Sequence, residues 1–298
     1  MGKKTRILVV GGSGLIGLPL CNILKLKYDV FTTYHKNKYS SENLQINIQN
    51  IESVKNVFSK VNPEIVINLC GIYNNLKFCE NNKELVMAVN SDGLKIISNI
   101  SNQYNSYLIS ISSDFVFDGN KGNYNETDET NPINFYGRSR VCGERNIKEL
   151  AKKYCLIRTS MIYGKNPLRK TLADLIYSNV LQGNSVELIK DQFMTPTYLE
   201  NFCLMLSEII EKQYEGIIHL AGADRISKYE FGKKLLNLMD ISEDLLIPVT
   251  KDSFDFSKEF PNDSSLNTKK ANSLLNNKPE KIESALKDYL IKMNSILK

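Results

Sequence analysis

Apolar positions along the first 160 residues alternate between two spacings. Thr5–Val10 is a short β-branched run, and after a cluster of glycines Leu15–Lys27 carries apolar residues at helical spacing. Asp29–Tyr34 reads again as a strand, and Ile51–Lys60 as a helix stopped ahead of Pro63. Glu64–Leu69 is a continuous apolar strand, the kind buried on both faces of a parallel sheet. A helical stretch from about Lys83 to Gln103 leads to the strand Tyr107–Ser112. The helix Phe135–Lys153 then leads to the strand Tyr154–Ser160. Strands and helices alternating at this period predict βαβ units, hence an α/β fold with a doubly wound parallel sheet.

Beyond Gly164 the rhythm loosens. Helices are predicted near Leu168–Leu181, Tyr198–Glu211 and Lys228–Met239, with one strand at Gly216–Leu220. Polar loops separate them, the longest at Thr250–Asn267, and a surface helix runs from Pro279 to Lys298. The expected organisation is a nucleotide-binding core of residues 1–163 plus 195–221. A smaller, discontinuous substrate-binding subdomain takes 164–194 plus 222–298.

Composition narrows the function. Of 298 residues, 42% are apolar and 24% charged, enough to bury a sizeable core. No apolar stretch nears the ~18–20 residues that span a bilayer, so no membrane insertion is expected. The opening MGKKTRILVVGGSG is too brief in its apolar run for a signal peptide, which points to a cytoplasmic protein. The net charge of +5 is mild and its lysines are scattered, which argues against a nucleic-acid partner. Six cysteines without a CxxC pair read as buried free thiols, and two histidines without ligand spacing give no metal site.

The sharpest local signal is the run Gly11-Gly12-Ser13-Gly14-Leu15-Ile16-Gly17 between the first strand and the first helix. Gly11 permits a tight turn, Gly14 lets the backbone approach a pyrophosphate, and Gly17 lets helix and sheet pack closely. The helix N-terminus then offers unpaired N–H groups and a positive dipole end to phosphates. This predicts a Rossmann-type dinucleotide site built on Gly11, Ser13, Gly14, Leu15, Ile16 and Gly17. After the second strand, where NAD-binding proteins carry an acid for the ribose 2′-hydroxyl, the chain reads Thr32-Thr33-Tyr34-His35-Lys36-Asn37-Lys38. Lys36, Lys38 or His35 would welcome a 2′-phosphate, so NADP(H) is favoured over NAD(H).

A hydroxyl pair, Ser112-Ser113, ends the strand Tyr107–Ser112 and precedes Asp114-Phe115-Val116-Phe117-Asp118-Gly119. The carboxyl ends of parallel strands are where ligands bind in such sheets. Further on, Tyr136 and Arg140 stand four apart, on one helical face. With GxxGxxG, Cys79-Glu80, Val89-Asn90-Ser91-Asp92-Gly93, Asn131-Pro132, Arg158-Thr159-Ser160, Asp191-Gln192-Phe193-Met194-Thr195-Pro196-Thr197 and Leu266-Asn267-Thr268, the chain resembles an extended short-chain dehydrogenase/reductase. More narrowly it resembles the dTDP-4-dehydrorhamnose reductase (RmlD-like) branch, from about residue 5 to 290. The resemblance implies hydride transfer to the 4-keto group of a nucleotide-linked deoxysugar, in polysaccharide biosynthesis. It casts Tyr136 as general acid, Ser113 as a hydrogen-bond donor to the same oxygen, and the residue at 140 as the cation holding the nicotinamide ribose. It adds cofactor contacts at Cys70, Gly71 and Tyr73, besides Tyr136 and Arg140, and substrate contacts at Ser113, Asp114, Phe115 and Met161. A homodimer or a partner enzyme is left open.

Three positions depart from that pattern. Arg140 stands where the family has lysine, although only seven of the 38 cationic residues are arginine. Arginine keeps the charge and can hydrogen-bond a ribose, but it releases no proton near neutrality. Met161 replaces a tryptophan and Phe260 an arginine. These changes admit a second reading, a non-catalytic dinucleotide-binding subunit resembling the regulatory β subunit of methionine adenosyltransferase.

Overall fold

Seven strands pair in parallel at the centre of the computed structural model, which describes residues 3–38, 40, 43–73, 75–167, 169–255 and 257–294. In chain order the strands begin with β1 (Arg6–Val10), β2 (Asp29–Tyr34), β3 (Leu44–Gln45), β4 (Ile65–Asn68), β5 (Tyr107–Ser113) and β6 (Tyr154–Thr159). Then follow β7 (Ile162–Tyr163), β8 (Val186–Ile189), β9 (Phe193–Met194), β10 (Thr197–Tyr198), β11 (Gly216–His219), β12 (Ile226–Ser227) and β13 (Leu246–Val249). The main sheet has the order β11-β6-β5-β4-β1-β2-β3. Succession runs one way from β1 to β3 and the other way from β4 to β11, so the order reverses between β1 and β4.

The helices that cover the sheet are α1 (Gly17–Leu24), α2 (Ile51–Val61), α3 (Leu76–Asn81), α4 (Lys83–Met87), α5 (Gly93–Gln103) and α6 (Phe135–Leu150). Alternate residues of β1 face opposite layers, as a strand's period of two requires. Ile7 and Val9 pack with Leu20 and Leu24 of α1 and with Phe202 and Leu206 of α8 (Leu199–Lys212). Leu8 and Val10 pack with Val54 and Phe58 of α2, Leu94 and Ile97 of α5 and Ile147 of α6. Local chemistry sets the ends of α2. Asn50 accepts a hydrogen bond from the Ser53 N–H, and Asn62 leaves the helix left-handed at φ 48°, just ahead of Pro63.

Several boundaries differ from the sequence expectation. α1 starts at Gly17 instead of Leu15, because the Gly14 N–H turns back onto the Gly11 carbonyl at 3.0 Å. α6 ends at Leu150 because Ala151 adopts an extended ψ of 125°. The helix expected over Lys83–Gln103 is broken by a π-turn at Ala88–Asp92, whose extra residue redirects Asn90. The expected helix start at Leu168 and helix end at Lys298 lie outside the described residues.

The remaining helices are α7 (Leu172–Val180), α9 (Lys228–Leu238), α10 (Lys269–Leu274) and α11 (Ile282–Asn294). α7, α9 and α11 share a second core around Phe231, Leu235, Leu236, Leu286 and Tyr289. Three short strand pairs brace it: β7 with β10, β8 with β13, and β9 antiparallel to β12. Between α9 and α11 the chain returns to the first core, where Ala271 and Leu275 pack with residues of α8. Among the described residues no helix is long and apolar enough to cross a membrane.

One buried ionic group lies behind the ends of β5 and β6. Arg158, 1% exposed, donates from Nε and Nη2 to both oxygens of Glu144, 2% exposed, at 3.0 and 2.8 Å. Ser112 Oγ donates to the same carboxylate at 2.6 Å. His219 pairs in register with Arg158, and its Nδ1 donates to the Asn267 carbonyl at 3.2 Å. Burial first, and then the neighbouring guanidinium, pull the imidazole down to about 3.

Candidate active site

A cavity of about 780 Å³ opens at the carboxyl ends of β1 and β4, where the strand order reverses. Gly11, Ser13, Gly14, Leu15, Ile16, Gly17, His35, Lys36, Cys70, Gly71 and Tyr73 all line it, so the expected dinucleotide contacts come together around one space. Gly11 makes the turn at φ 88°, and its N–H is held by Thr33 Oγ1 at 3.1 Å. A Cβ on Gly17 would lie 2.4 Å from the Gly12 carbonyl oxygen, so only glycine lets α1 start this close to the loop. Ile16, the N-cap, makes no side-chain capping hydrogen bond, which leaves the first-turn N–H groups directed at the cavity.

The lining also contains residues that the sequence pattern did not single out. Asn47, Ile48 and Gln49 follow β3, and Arg169 arrives from the segment before α7. That segment is tied to the glycine loop by Asn166 Nδ2, which donates to the Leu15 carbonyl at 2.8 Å. Among the described residues no lining side chain carries a carboxylate, whereas Lys36, Lys38 and Arg169 bring three positive charges. A pyrophosphate-bearing dinucleotide therefore fits the residues present: open N–H groups at one end of a helix, a glycine cradle and a basic lip.

Beyond the Gly71–Tyr73 wall stands Tyr136, in the first turn of α6. That helix is started by buried Asn134, whose side chain accepts from the Gly137 N–H at 2.7 Å and donates to the Glu259 carbonyl at 2.9 Å. The Tyr136 ring is 7% exposed, lies 4.6 Å from the Tyr73 ring and meets the Phe115 ring edge-on at 6.0 Å. Arg140 Nε donates to the Tyr136 hydroxyl at 3.2 Å, and its Nη1 donates to the Ile111 carbonyl at 3.3 Å. The phenol oxygen thus accepts a charge-assisted hydrogen bond, while among the described residues nothing takes the phenol's own proton.

Gly71 makes the room for this contact. A Cβ there would fall 1.9 Å from Arg140 Nη2. Asn90, buried on the π-turn, fixes the same wall. Its Oδ1 accepts from the Ile72 N–H at 2.8 Å, and its Nδ2 donates to the Ile72 carbonyl and to Ser139 Oγ at 3.1 and 3.0 Å. The motif Val89–Gly93 flagged this residue, but helical periodicity gave no hint of the π-turn that aims it.

Ser113 caps a short 3₁₀ turn. Its hydroxyl accepts from the Phe115 N–H at 3.2 Å and donates to Asp114 Oδ1 at 3.0 Å. The Asp114 carboxylate is 5% exposed, and its Oδ2 accepts from Ser160 and Ser264 at 2.8 and 2.7 Å. Burial pushes this carboxyl up, and the three serine hydroxyls work against that shift. Met161 follows Ser160 and is half-buried: its carbonyl accepts from the Thr197 N–H at 2.8 Å, and its side chain packs against the second core.

Comparison with known proteins gives the following. The family model for the RmlD substrate binding domain matches residues 5–295. A probable low-salt glycan biosynthesis reductase of Haloferax volcanii is 29% identical over 241 residues, 78% of this chain and 79% of that protein. Subunit β of methionine adenosyltransferase 2 from Danio rerio is 25% identical over 254 residues, 83% of this chain and 77% of that protein. Among solved structures, dTDP-4-dehydrorhamnose reductase from Bacillus anthracis in complex with NADP superposes with a TM-score of 0.86 at 26% identity. It covers 98% of this chain and 100% of that one.

Proposed function

Since the chain belongs to the RmlD substrate binding domain family, we propose that it is an NADPH-dependent reductase of the 4-keto group on a nucleotide-linked deoxysugar, with dTDP-4-dehydrorhamnose as the reference substrate. The observation that carries this reading is the Tyr136 phenol, which takes a hydrogen bond from Arg140 Nε and keeps its own proton for a ligand. Ser13–Gly17 would hold the pyrophosphate of the dinucleotide, Lys36 and Lys38 its 2′-phosphate, and Gly71–Tyr73 with Arg140 the nicotinamide end. When bound, NADPH supplies the hydride.

The chain's own residues manage the proton. Tyr136 donates its phenolic proton to the carbonyl oxygen as negative charge develops there, so that a C=O becomes a CH–OH. Arg140 stabilises the charge left on the phenol oxygen through its Nε–H, and a guanidinium, which stays protonated, does so without entering the proton transfer. Ser113 steadies the same substrate oxygen once its hydroxyl turns away from Asp114 Oδ1. The test is to incubate the pure protein with NADPH and dTDP-4-dehydrorhamnose and follow cofactor oxidation. NADPH binding without turnover on any keto-sugar nucleotide would overturn the reading.

In that event the likeness to the methionine adenosyltransferase subunit would favour the non-catalytic alternative, which predicts a copurifying enzyme whose kinetics change on adding this chain. Two further results are expected. Replacing Lys36 and Lys38 together by alanine should weaken NADPH about 10–100-fold, as loss of charge-assisted contacts implies, and leave NADH within about twofold. Equal loss for both cofactors in a fluorescence titration would remove the 2′-phosphate assignment. Gly71→Ala should drive the Arg140 guanidinium off the phenol and lower kcat about 10–100-fold without altering the circular dichroism spectrum. An unchanged kcat would separate Arg140 from catalysis.

A further inference from the structure

Lys228 opens α9, directly after Ser227 of β12, which pairs with Phe193 of β9. The Phe193 carbonyl accepts from the Ser264 N–H at 3.0 Å, and Ser264 Oγ reaches Asp114. Ser227, next to Lys228 in the chain, is thus linked through Phe193 and Ser264 to the carboxylate beside Ser113. Its ammonium lies 5.7 Å from the centre of the Phe260 ring, and Phe260 packs in the same apolar cluster as Tyr136 and Phe115. The side chain is half-buried. Burial lowers its proton affinity, and Asp114 attracts its charge in return. Yet the two are too far apart for a direct ion pair, and among the described residues the ammonium has no hydrogen-bond acceptor.

Donor and acceptor counting indicates what belongs between them. A carboxylate offers about four acceptor positions; on Asp114, Ser160 and Ser264 hold two, and the Ser113 hydroxyl vacates a third when it turns to the substrate oxygen. An ammonium offers three donors, and Lys228 uses none of them on the described residues. A group that donates to a free Asp114 position and accepts from Lys228 is a hydroxyl. The apolar flank of Phe260, Phe115 and Tyr136 suits the C–H face of a sugar ring. We propose that Lys228 is a specificity-determining residue of the sugar subsite. Its ammonium donates to a ring hydroxyl of the substrate whose proton goes to Asp114. This deepens the reductase reading and rests on it.

The test is calorimetric binding of two probes, dTDP-rhamnose and dTDP, to the NADP-loaded protein. Lys228→Met should weaken dTDP-rhamnose by about tenfold or more while dTDP and NADP stay within about twofold. Lys228→Arg, which keeps the charge, should recover part of the loss. Unchanged dTDP-rhamnose affinity in Lys228→Met would overturn the proposal. So would an equal loss for dTDP, which would put the ammonium on the diphosphate. So would failure of the unaltered protein to bind dTDP-rhamnose more tightly than dTDP. The NADPH oxidation assay is read separately: binding as expected with no turnover would count against the reductase and leave the sugar subsite standing.

Discussion

Tyr136→Phe is expected to lower kcat for keto-sugar reduction by about 10²–10⁴-fold, the range lost when a positioned general acid is removed. NADPH affinity should hold, because the phenol touches none of the glycine loop. Stability should change little. The phenylalanine ring keeps its neighbours Tyr73 and Phe115, and the Arg140 group left behind is half-exposed and still bonded to the Ile111 carbonyl. Stopped-flow reduction together with a NADPH titration checks all three points. A variant that retains more than about a tenth of wild-type kcat would take the proton transfer away from Tyr136.

Glu144→Leu is expected to cost about 3–5 kcal/mol of folding stability, because it strands the Arg158 guanidinium, 1% exposed, without its carboxylate. Replacing both partners, Glu144→Leu with Arg158→Met, should be less damaging than Glu144→Leu alone, since no uncompensated charge then remains buried. Urea unfolding of the two variants decides this, and a double variant worse than the single would refute it. The neighbouring His219 adds a pH dependence. Its folded-state pKa of about 3 lies below the ordinary 6.5, so the unfolded chain binds the extra proton between those values. The contribution is therefore full above about 6.5 and is lost as pH falls toward 3. His219→Gln should flatten that part of the stability profile.

The parallel sheet was legible because buried parallel strands leave continuous apolar runs such as Ile65–Asn68, and because Pro63 and the glycine loop punctuate them. The glycine loop was legible for the same reason: its shape depends on backbone turns that only certain residues allow. Short strands of the second half were not. β8 and β13 are four residues each and owe their pairing to α7 and α9 packed on them, with no alternation of their own to announce it. Arg169 and Lys228 escaped notice because a lysine or arginine in a polar stretch looks like any solvated charge. Only the fold brings Arg169 to the cavity and Lys228 to the Phe260 ring. The guanidinium of Arg140 could be named from sequence, but its seat against Gly71 needed coordinates.

The Asp114 carboxylate gathers serines from the ends of β5 and β6 and from a segment 150 residues further along the chain. One carboxylate is therefore a shared polar anchor for three stretches far apart in sequence, so its loss would leave three hydroxyls without their common acceptor at once.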